Sequence, residues 1–151
     1  MLKKNVMFLR IIAILTVVAL LIPTGITAHA TEVAQPRASD YLNSYGAYVY
    51  PEGKGKVSVY FNVVGIGYMD ELGALCIEIH ESKNGTTWDW VETFSFYSTA
   101  GMLSYNDNFH SSHVTYNGVA GRYYKAYVCI WGGKNGQGDT RYFWTSAKLA
   151  T

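Results

Sequence analysis

The chain has few cysteines and prolines, no helical pattern, and no marked excess of either charge. Its 151 residues include two cysteines and three prolines, and the formal net charge is +1. Two cysteines are too few for a disulfide-rich scaffold, and a charge near zero provides no broad basic surface for nucleic acid. No segment keeps a helical period of apolar residues for three turns, which argues against a helical domain.

A cationic and then apolar segment occupies residues 1–30. Three basic residues precede an apolar run over 11–22, and Ala28 and Ala30 form a small-x-small cleavage motif. This order is typical of a secretory signal peptide, and the run is shorter than the roughly 20 residues of a spanning helix. We therefore expect cleavage after Ala30 and an extracellular protein. Retention of the segment as an N-terminal anchor is the alternative.

The mature chain, residues 31–151, has the size of one domain. Three of the twelve basic residues lie in the leader and all eleven acidic residues lie outside it, so the mature net charge is −2. We expect a flexible lead-in over 31–40, one domain over 41–150, no nucleic-acid partner and, after cleavage, no membrane association.

Residue types and their alternation predict an all-β domain. All thirteen tyrosines and all four tryptophans follow residue 30, but only five leucines do. Aromatic and β-branched side chains favour strands. Seven strands are predicted, at 41–50, 56–64, 73–81, 88–96, 114–116, 122–131 and 141–146. Such short, regularly spaced strands favour an antiparallel β-sandwich.

The connections between these strands also carry predictions. Gly65-Ile66-Gly67 is expected to end the second strand, and Asn84-Gly85 to form a type I′ hairpin turn. Residues 98–112 are expected to be an irregular link, and 132–139 a wide glycine-rich turn. In the third strand we expect Leu75, Ile77 and Ile79 to face the core. In the sixth we expect the same of four apolar residues, Tyr124, Ala126, Val128 and Ile130.

Several of these segments resemble known families. Gly121-x-x-Tyr124-x-Ala126-x-Val128 resembles the tyrosine-corner strand of fibronectin type III and immunoglobulin-like domains, and Glu81–Trp88 (ESKNGTTW) resembles their C–C′ turn. Further motifs resemble a domain of unknown function in small secreted proteins of Gram-positive bacteria, over about 40–147. They are YMDxxGA from Tyr68, GML from Gly101, NGxAGRxY from Asn117 and the glycine-rich turn before Asp139. These motifs are structural, so the resemblance implies an immunoglobulin-like fold and no functional residue.

The two cysteines raise the question of a disulfide. Cys76 and Cys129 alternate with predicted core residues, so both point outward. If their strands are C and F of such a fold, they are antiparallel neighbours, and we predict a cross-strand bridge closing a loop of about 50 residues. Two free thiols are the alternative.

Outward aromatic residues are the remaining candidates for function. Tyr123, Tyr127 and Trp131 share the outer face of the sixth predicted strand, and Tyr142 or Trp144 can join them, depending on register. Such a strip can stack on sugar rings or bind a partner protein. We predict a non-catalytic extracellular interaction module, with a carbohydrate-binding module, for example for cell-wall polysaccharide, as the alternative.

Other chemistry finds weaker support in the sequence. His110-x-x-His113 is the only metal-like spacing, and a structural zinc site usually needs four ligands. We expect loop histidines there, and no metal or other cofactor. No nucleophile motif is present, and nothing selects a pair of carboxylates among the eleven acids. A secreted hydrolase is therefore the less favoured alternative.

Overall fold

The computed structural model describes residues 39–151, and the predicted signal peptide and nearly all of the lead-in lie outside the described residues. Regular structure in this part is entirely β, as predicted. Seven strands form one antiparallel sheet: β1 (Leu42–Gly53), β2 (Lys56–Ser82), β3 (Asp89–Ser95), β4 (Leu103–Asn117), β5 (Tyr123–Lys134), β6 (Gln137–Trp144) and β7 (Lys148–Leu149). The described residues contain no helix that could cross a membrane.

The long strand β2 organises the sheet. Its first stretch, 56–65, pairs with β1 on one edge and β4 on the other. Its second stretch, 71–82, pairs with β5 on one edge, and on the other with β3 after the end of β4. We call β1, the first stretch and β4 the first half of the sheet. The second half consists of β3, the second stretch, β5, β6 and β7.

The prediction that the glycines at 65 and 67 end the second strand is wrong. They lie inside β2, where the register with β4 shifts between Val64 and Met69. Glycine tolerates a sharp change of direction within a strand because it has no Cβ. The two predicted strands on either side are therefore one strand with an irregularity between its stretches.

A β-bulge corrects the predicted core of the second stretch. Leu72 and Ala74 are fully buried before the bulge, and Ile77 and Ile79 after it. The register with β5 shifts between Ala74 and Cys76, so Leu75 is the inserted residue and is only half-buried. An inserted residue reverses the alternation of faces. The expectation for Ile77 and Ile79 is confirmed, and that for Leu75 is wrong.

The predicted irregular link over 98–112 is also wrong, because most of it belongs to β4. This strand is mainly polar, and Val114 is its one fully buried side chain. Its backbone hydrogen bonds run to β2 from Lys56 to Gly73, with a gap between Val64 and Met69, where the register shifts. A strand with so few buried residues has little apolar alternation, which is the signal used to predict strands.

The Asn84-Gly85 turn differs from its prediction as well. Gly85 has a positive φ of 75°, but Asn84 does not, so the turn is not type I′. The loop is longer, and the Asn84 carboxamide oxygen accepts hydrogen bonds from the backbone of Thr86 and Thr87. Asn135 and Gly136, with φ of 54° and 74°, instead form a two-residue hairpin between β5 and β6. The predicted wide turn over 132–139 is therefore a tight one.

The inner faces of both halves contribute to one hydrophobic core. The predicted inward set of β5 is confirmed: Tyr124, Ala126, Val128 and Ile130 are fully buried. Aromatic contacts join strands from different halves. The rings of Tyr45 and Phe143 are 5.5 Å apart, and those of Tyr116 and Tyr124 are 6.0 Å apart. The outer faces remain for function.

Candidate functional site

The outer face of β5 displays the residues that alternate with its buried set. Tyr123, Lys125, Tyr127 and Trp131 are partly exposed on this face, whereas Cys129, in the same alternation, is buried at 3% exposure. Strand alternation alone places them there, because their inward neighbours fill the core. Their cross-strand partners decide which of them form a continuous surface.

The register between β5 and β6 brings three of the aromatic residues together. Trp144 lies opposite Tyr127, and Tyr142 lies opposite Cys129. The Tyr127 ring is stacked 5.9 Å from Tyr142 and lies 4.9 Å from Trp144. The side chains of Tyr142 and Trp144 are 59% and 43% exposed. We call Tyr142, Tyr127 and Trp144 the aromatic strip.

A lysine and a histidine hold the Trp144 end of the aromatic strip. The Lys125 ammonium lies 4.2 Å from the centre of the Trp144 ring and 4.5 Å from that of Trp88. The His80 ring meets Trp144 edge-on at 4.8 Å. Each cation–π contact is worth about 0.5–1 kcal/mol at an exposed site. These contacts restrict the orientation of Trp144 before any ligand arrives.

The two cysteines lie beside the Tyr142 end. Cys76 and Cys129 are direct partners on neighbouring strands, but the two thiols are not bonded to each other. Hydrogen bonds from the Cys76 thiol and the Tyr142 hydroxyl lower the pKa of Cys129 below its usual value. The hydrogen bond to Cys129, together with burial, raises the pKa of Cys76. Cys129 is only 3% exposed, so its lowered pKa reflects hydrogen bonding within the pair and not an accessible thiolate.

Trp131 and Tyr123, also predicted for this surface, lie outside the strip. The Trp131 ring packs over Gly133 and Gly138, where an added Cβ would come within 2.6 Å of it. Its indole nitrogen donates to Glu71 at 3.1 Å, beside a separate cavity of about 310 Å³. Tyr123 lies near Gly85, at the other end of β5. Of the five candidates Tyr123, Tyr127, Trp131, Tyr142 and Trp144, the structure thus brings together Tyr127, Tyr142 and Trp144.

The predicted tyrosine-corner residues lie where β5 begins. The Tyr124 hydroxyl accepts a hydrogen bond from the Val119 backbone at 2.8 Å and donates one to Glu81 at 2.5 Å. Burial and the bond to Glu81 raise the pKa of Tyr124 to about 12. Gly121 has φ of 81°, a conformation that favours glycine. The tyrosine corner therefore ties Val119 to Glu81 through Tyr124, beneath the outer face.

The histidine pair of the sequence does not form a joint site. His110 contacts Gly101 through its imidazole nitrogen and Phe61 through its ring, whereas His113 stacks on Tyr60. Within residues 39–151, no group of three metal-ligating side chains is brought together. Residues three apart in a strand lie on opposite faces, so the two imidazoles are separated.

Several residues around the strip were not predicted from the sequence. Trp88, His80 and Lys125 become its supports only because β2, β5 and the loop before β3 are neighbours. The one available signal was the position of Lys125 between Tyr123 and Tyr127 on the same face. The resulting site is a group of neighbouring exposed rings, of which Trp144 is held by Lys125 and His80. Such a surface is suited to stacking on a flat partner.

Comparison with known proteins adds no family. No protein-family model matches the chain, and no curated protein matches it. The resemblance to small secreted proteins of Gram-positive bacteria stays a prediction.

Proposed function

We propose that the protein is a non-catalytic extracellular binding module whose aromatic strip stacks on the sugar rings of a polysaccharide. The observation that carries this proposal is the contact series from Tyr142 through Tyr127 to Trp144, with both outer rings exposed. Exposed contiguous apolar surface on a small domain marks an interaction site. Tyrosine and tryptophan offer broad apolar faces together with polar tips, which suits the alternating C–H and hydroxyl surface of a sugar.

The position of the strip favours a polymer over a small molecule. β6 ends the strand path β1-β2-β5-β6, so the strip lies at an edge of the sheet. The Tyr127 ring centre lies 4.9 Å from that of Trp144 and 5.9 Å from that of Tyr142, so the three rings are contiguous on the outer face. Contiguous rings at an open edge can accept a long chain that continues beyond the protein. Fixing Trp144 through Lys125 reduces the entropy that binding would otherwise cost.

We also propose that the two halves of the sheet form an immunoglobulin-like sandwich. The pairing order β1-β2-β4 in the first half and β3-β2-β5-β6 in the second supports this proposal. These orders correspond to strands A-B-E and C′-C-F-G, with B and C continuous in β2. The shared core and the ring contact between Tyr45 and Phe143 favour facing layers.

Secretion and oxidation of the cysteines belong to the same proposal. An oxidising compartment favours a disulfide where two cysteines are direct cross-strand partners. The register of Cys76 with Cys129 supplies that arrangement, and the hydrogen-bonded thiols lie side by side. A bridge there would tie β2 to β5 directly beneath Tyr142.

Affinity electrophoresis and pull-down with neutral polysaccharides test the ligand. Cellulose, chitin, xylan and mixed-linkage β-glucan form the panel. We expect retention by at least one of them, and a loss of about tenfold in affinity, or about 1.4 kcal/mol, for Trp144→Ala and for Tyr142→Ala. Tyr68→Ala is the matched control, because Tyr68 is 66% exposed but lies in β2 where the register with β4 shifts, and makes no ring contact with the strip. Failure of every polysaccharide to retain the protein, or equal retention of Trp144→Ala, would contradict the proposal.

A further inference from the structure

The outer face of the first half carries a groove that the aromatic strip does not use. Ser58 lies between Lys56 and Tyr60 on this face of β2, and its partners are Tyr50 on β1 and Thr115 on β4. A small side chain among larger ones leaves a depression in an otherwise even surface. The cavity measures about 680 Å³, within the range of ligand pockets.

Stacked rings form one wall of the groove. The Tyr60 ring is stacked between Tyr48, at 5.4 Å, and His113, at 4.9 Å. Tyr50 meets Tyr60 edge-on at 6.3 Å. The Tyr60 hydroxyl donates to the Glu52 carboxylate at 3.2 Å, which draws Glu52 over the groove. The wall therefore combines aromatic faces with a carboxylate at their polar tip.

The floor and the opposite wall are polar. The Ser58 and Thr115 hydroxyls are hydrogen-bonded to each other at 2.8 Å. Ser58 is only 1% exposed, so Thr115 and Asn117 carry the polar groups that a ligand can reach. Lys54 and Lys56 complete the lining and outnumber its single acid, Glu52. This local positive charge contrasts with the mature chain, in which acidic residues exceed basic ones.

We propose that this groove is a second binding site, which takes a sugar residue bearing a carboxylate from an acidic glycan. Because both faces of Tyr60 are covered by Tyr48 and His113, the outer face of the His113 ring would contact the apolar face of the sugar. The Thr115 hydroxyl and the Asn117 amide would bind the sugar hydroxyls. Lys54 and Lys56 would pair with its carboxylate. The site is separate from the aromatic strip and does not rest on the function proposed for the strip.

Aromatic and hydroxyl groups together favour a sugar over a simple anion, for which the stacked rings would have no role. The lysines favour an acidic sugar over a neutral one because opposite charges attract at this partly enclosed surface. Since the lysines are exposed at the rim, the attraction should weaken as salt rises. Binding in the groove should therefore favour an acidic sugar and weaken as the salt concentration rises.

Calorimetry and amide chemical-shift mapping with hexagalacturonate and neutral galactohexaose test it. We expect the wild-type protein to bind hexagalacturonate at least tenfold more tightly than the neutral hexamer, with the largest shifts around Ser58 and Thr115. The double variant Lys54→Asn/Lys56→Ala should lose at least tenfold in affinity for hexagalacturonate. Asparagine suits the φ of 56° at position 54. His113→Ala, on an exposed strand position, should weaken both hexamers.

Two controls keep this test independent of the strip. Trp144→Ala should bind hexagalacturonate like the wild type, and thermal melting should show that every variant is folded. Absence of shifts around the groove at millimolar hexagalacturonate would overturn the proposal. Unchanged affinity in the folded double variant would overturn it as well, as would shifts confined to Tyr127, Tyr142 and Trp144.

Discussion

The aromatic strip and the groove lie on outer faces of the same sheet but differ in shape and charge. In the strip, Tyr127 is flanked by two other large rings, so the surface is a row of rings. In the groove, Ser58 is flanked by large residues, so the surface is concave. Strand alternation therefore determines only which residues point outward. The cross-strand neighbours decide whether they form a platform or a pocket.

The two halves of the sheet also differ in the interactions that stabilise them. The second half contains the cysteine pair and the Tyr124 corner, whereas the groove in the first half rests on hydrogen-bonded hydroxyls and stacked rings. Both halves nevertheless share one core. Whether the halves behave as one unit can therefore be tested by disturbing each of these features.

Gly73→Ala should damage both halves at once. Gly73 pairs with β4 and β5, and an added Cβ would lie 2.1 Å from the Met102 carbonyl oxygen. A backbone atom cannot move aside cheaply, so we expect a loss of about 4 kcal/mol or more in the free energy of unfolding, or failure to fold. Chemical denaturation measures it. Gly67→Ala is the control, because its φ of 158° is similar to the 151° of Gly73 but its Cβ would meet nothing. Equal losses in the two variants would show that the collision is unimportant.

Reduction of the proposed Cys76–Cys129 bridge should affect mainly the second half. A bridge across a loop of about 50 residues contributes about 4 kcal/mol in the chain-entropy model. We expect the oxidised protein to lose about that much on reduction, and amide exchange to accelerate more in β5 than in β4. Cys76→Ser/Cys129→Ser should behave like the reduced wild type. Ready alkylation of both thiols in the exported protein, without prior reduction, would contradict the bridge.

Tyr124→Phe should have a smaller effect, centred on the corner. The change leaves the Val119 amide and the Glu81 carboxylate without the phenolic hydroxyl, and such losses cost about 1–3 kcal/mol. Tyr116→Phe, whose ring packs on Tyr124, should change stability by less. Thermal and urea unfolding compare the two variants. An equal or larger loss for Tyr116→Phe would show that the Tyr124 hydroxyl has no special part in stabilising the corner.

The raised pKa of Tyr124 also predicts how the free energy of unfolding depends on pH. The pKa of Tyr124 is raised to about 12 in the folded protein, against about 10 in an unfolded chain. The unfolded chain therefore loses this proton first, so the free energy of unfolding should fall as pH rises from about 10 to 12. Tyr124→Phe should show a shallower fall over that window than the wild type. Parallel curves would contradict this assignment.

The sequence predicted the parts of the fold that depend on local alternation. The buried set of β5 and the positions of Ile77 and Ile79 followed directly from it. Leu75 and β4 were missed for two different reasons. A bulge reverses alternation without changing composition, and a mainly polar strand is stabilised by partners that lie far away in the sequence.

The candidate surfaces divide in the same way. Tyr127 and Trp144 could be proposed for one surface because each lies on the outward face of its own strand. The same alternation also placed Trp131 on that surface, although it lies elsewhere. Its separation depends on Gly133, Gly138 and Glu71, which give it a different place to pack. The groove left no signal in the sequence, because Glu52, Ser58 and Thr115 belong to three different strands.

An all-β chain and the inward face of its best strand, β5, could be read from the sequence alone. These follow from local sterics and from alternation, which act over a few residues. The continuity of β2 through its glycines, and the formation of a strip on one face and a groove on another, became visible in the tertiary structure. Those features depend on register between distant strands, where a shift of one residue would reverse which side chains meet.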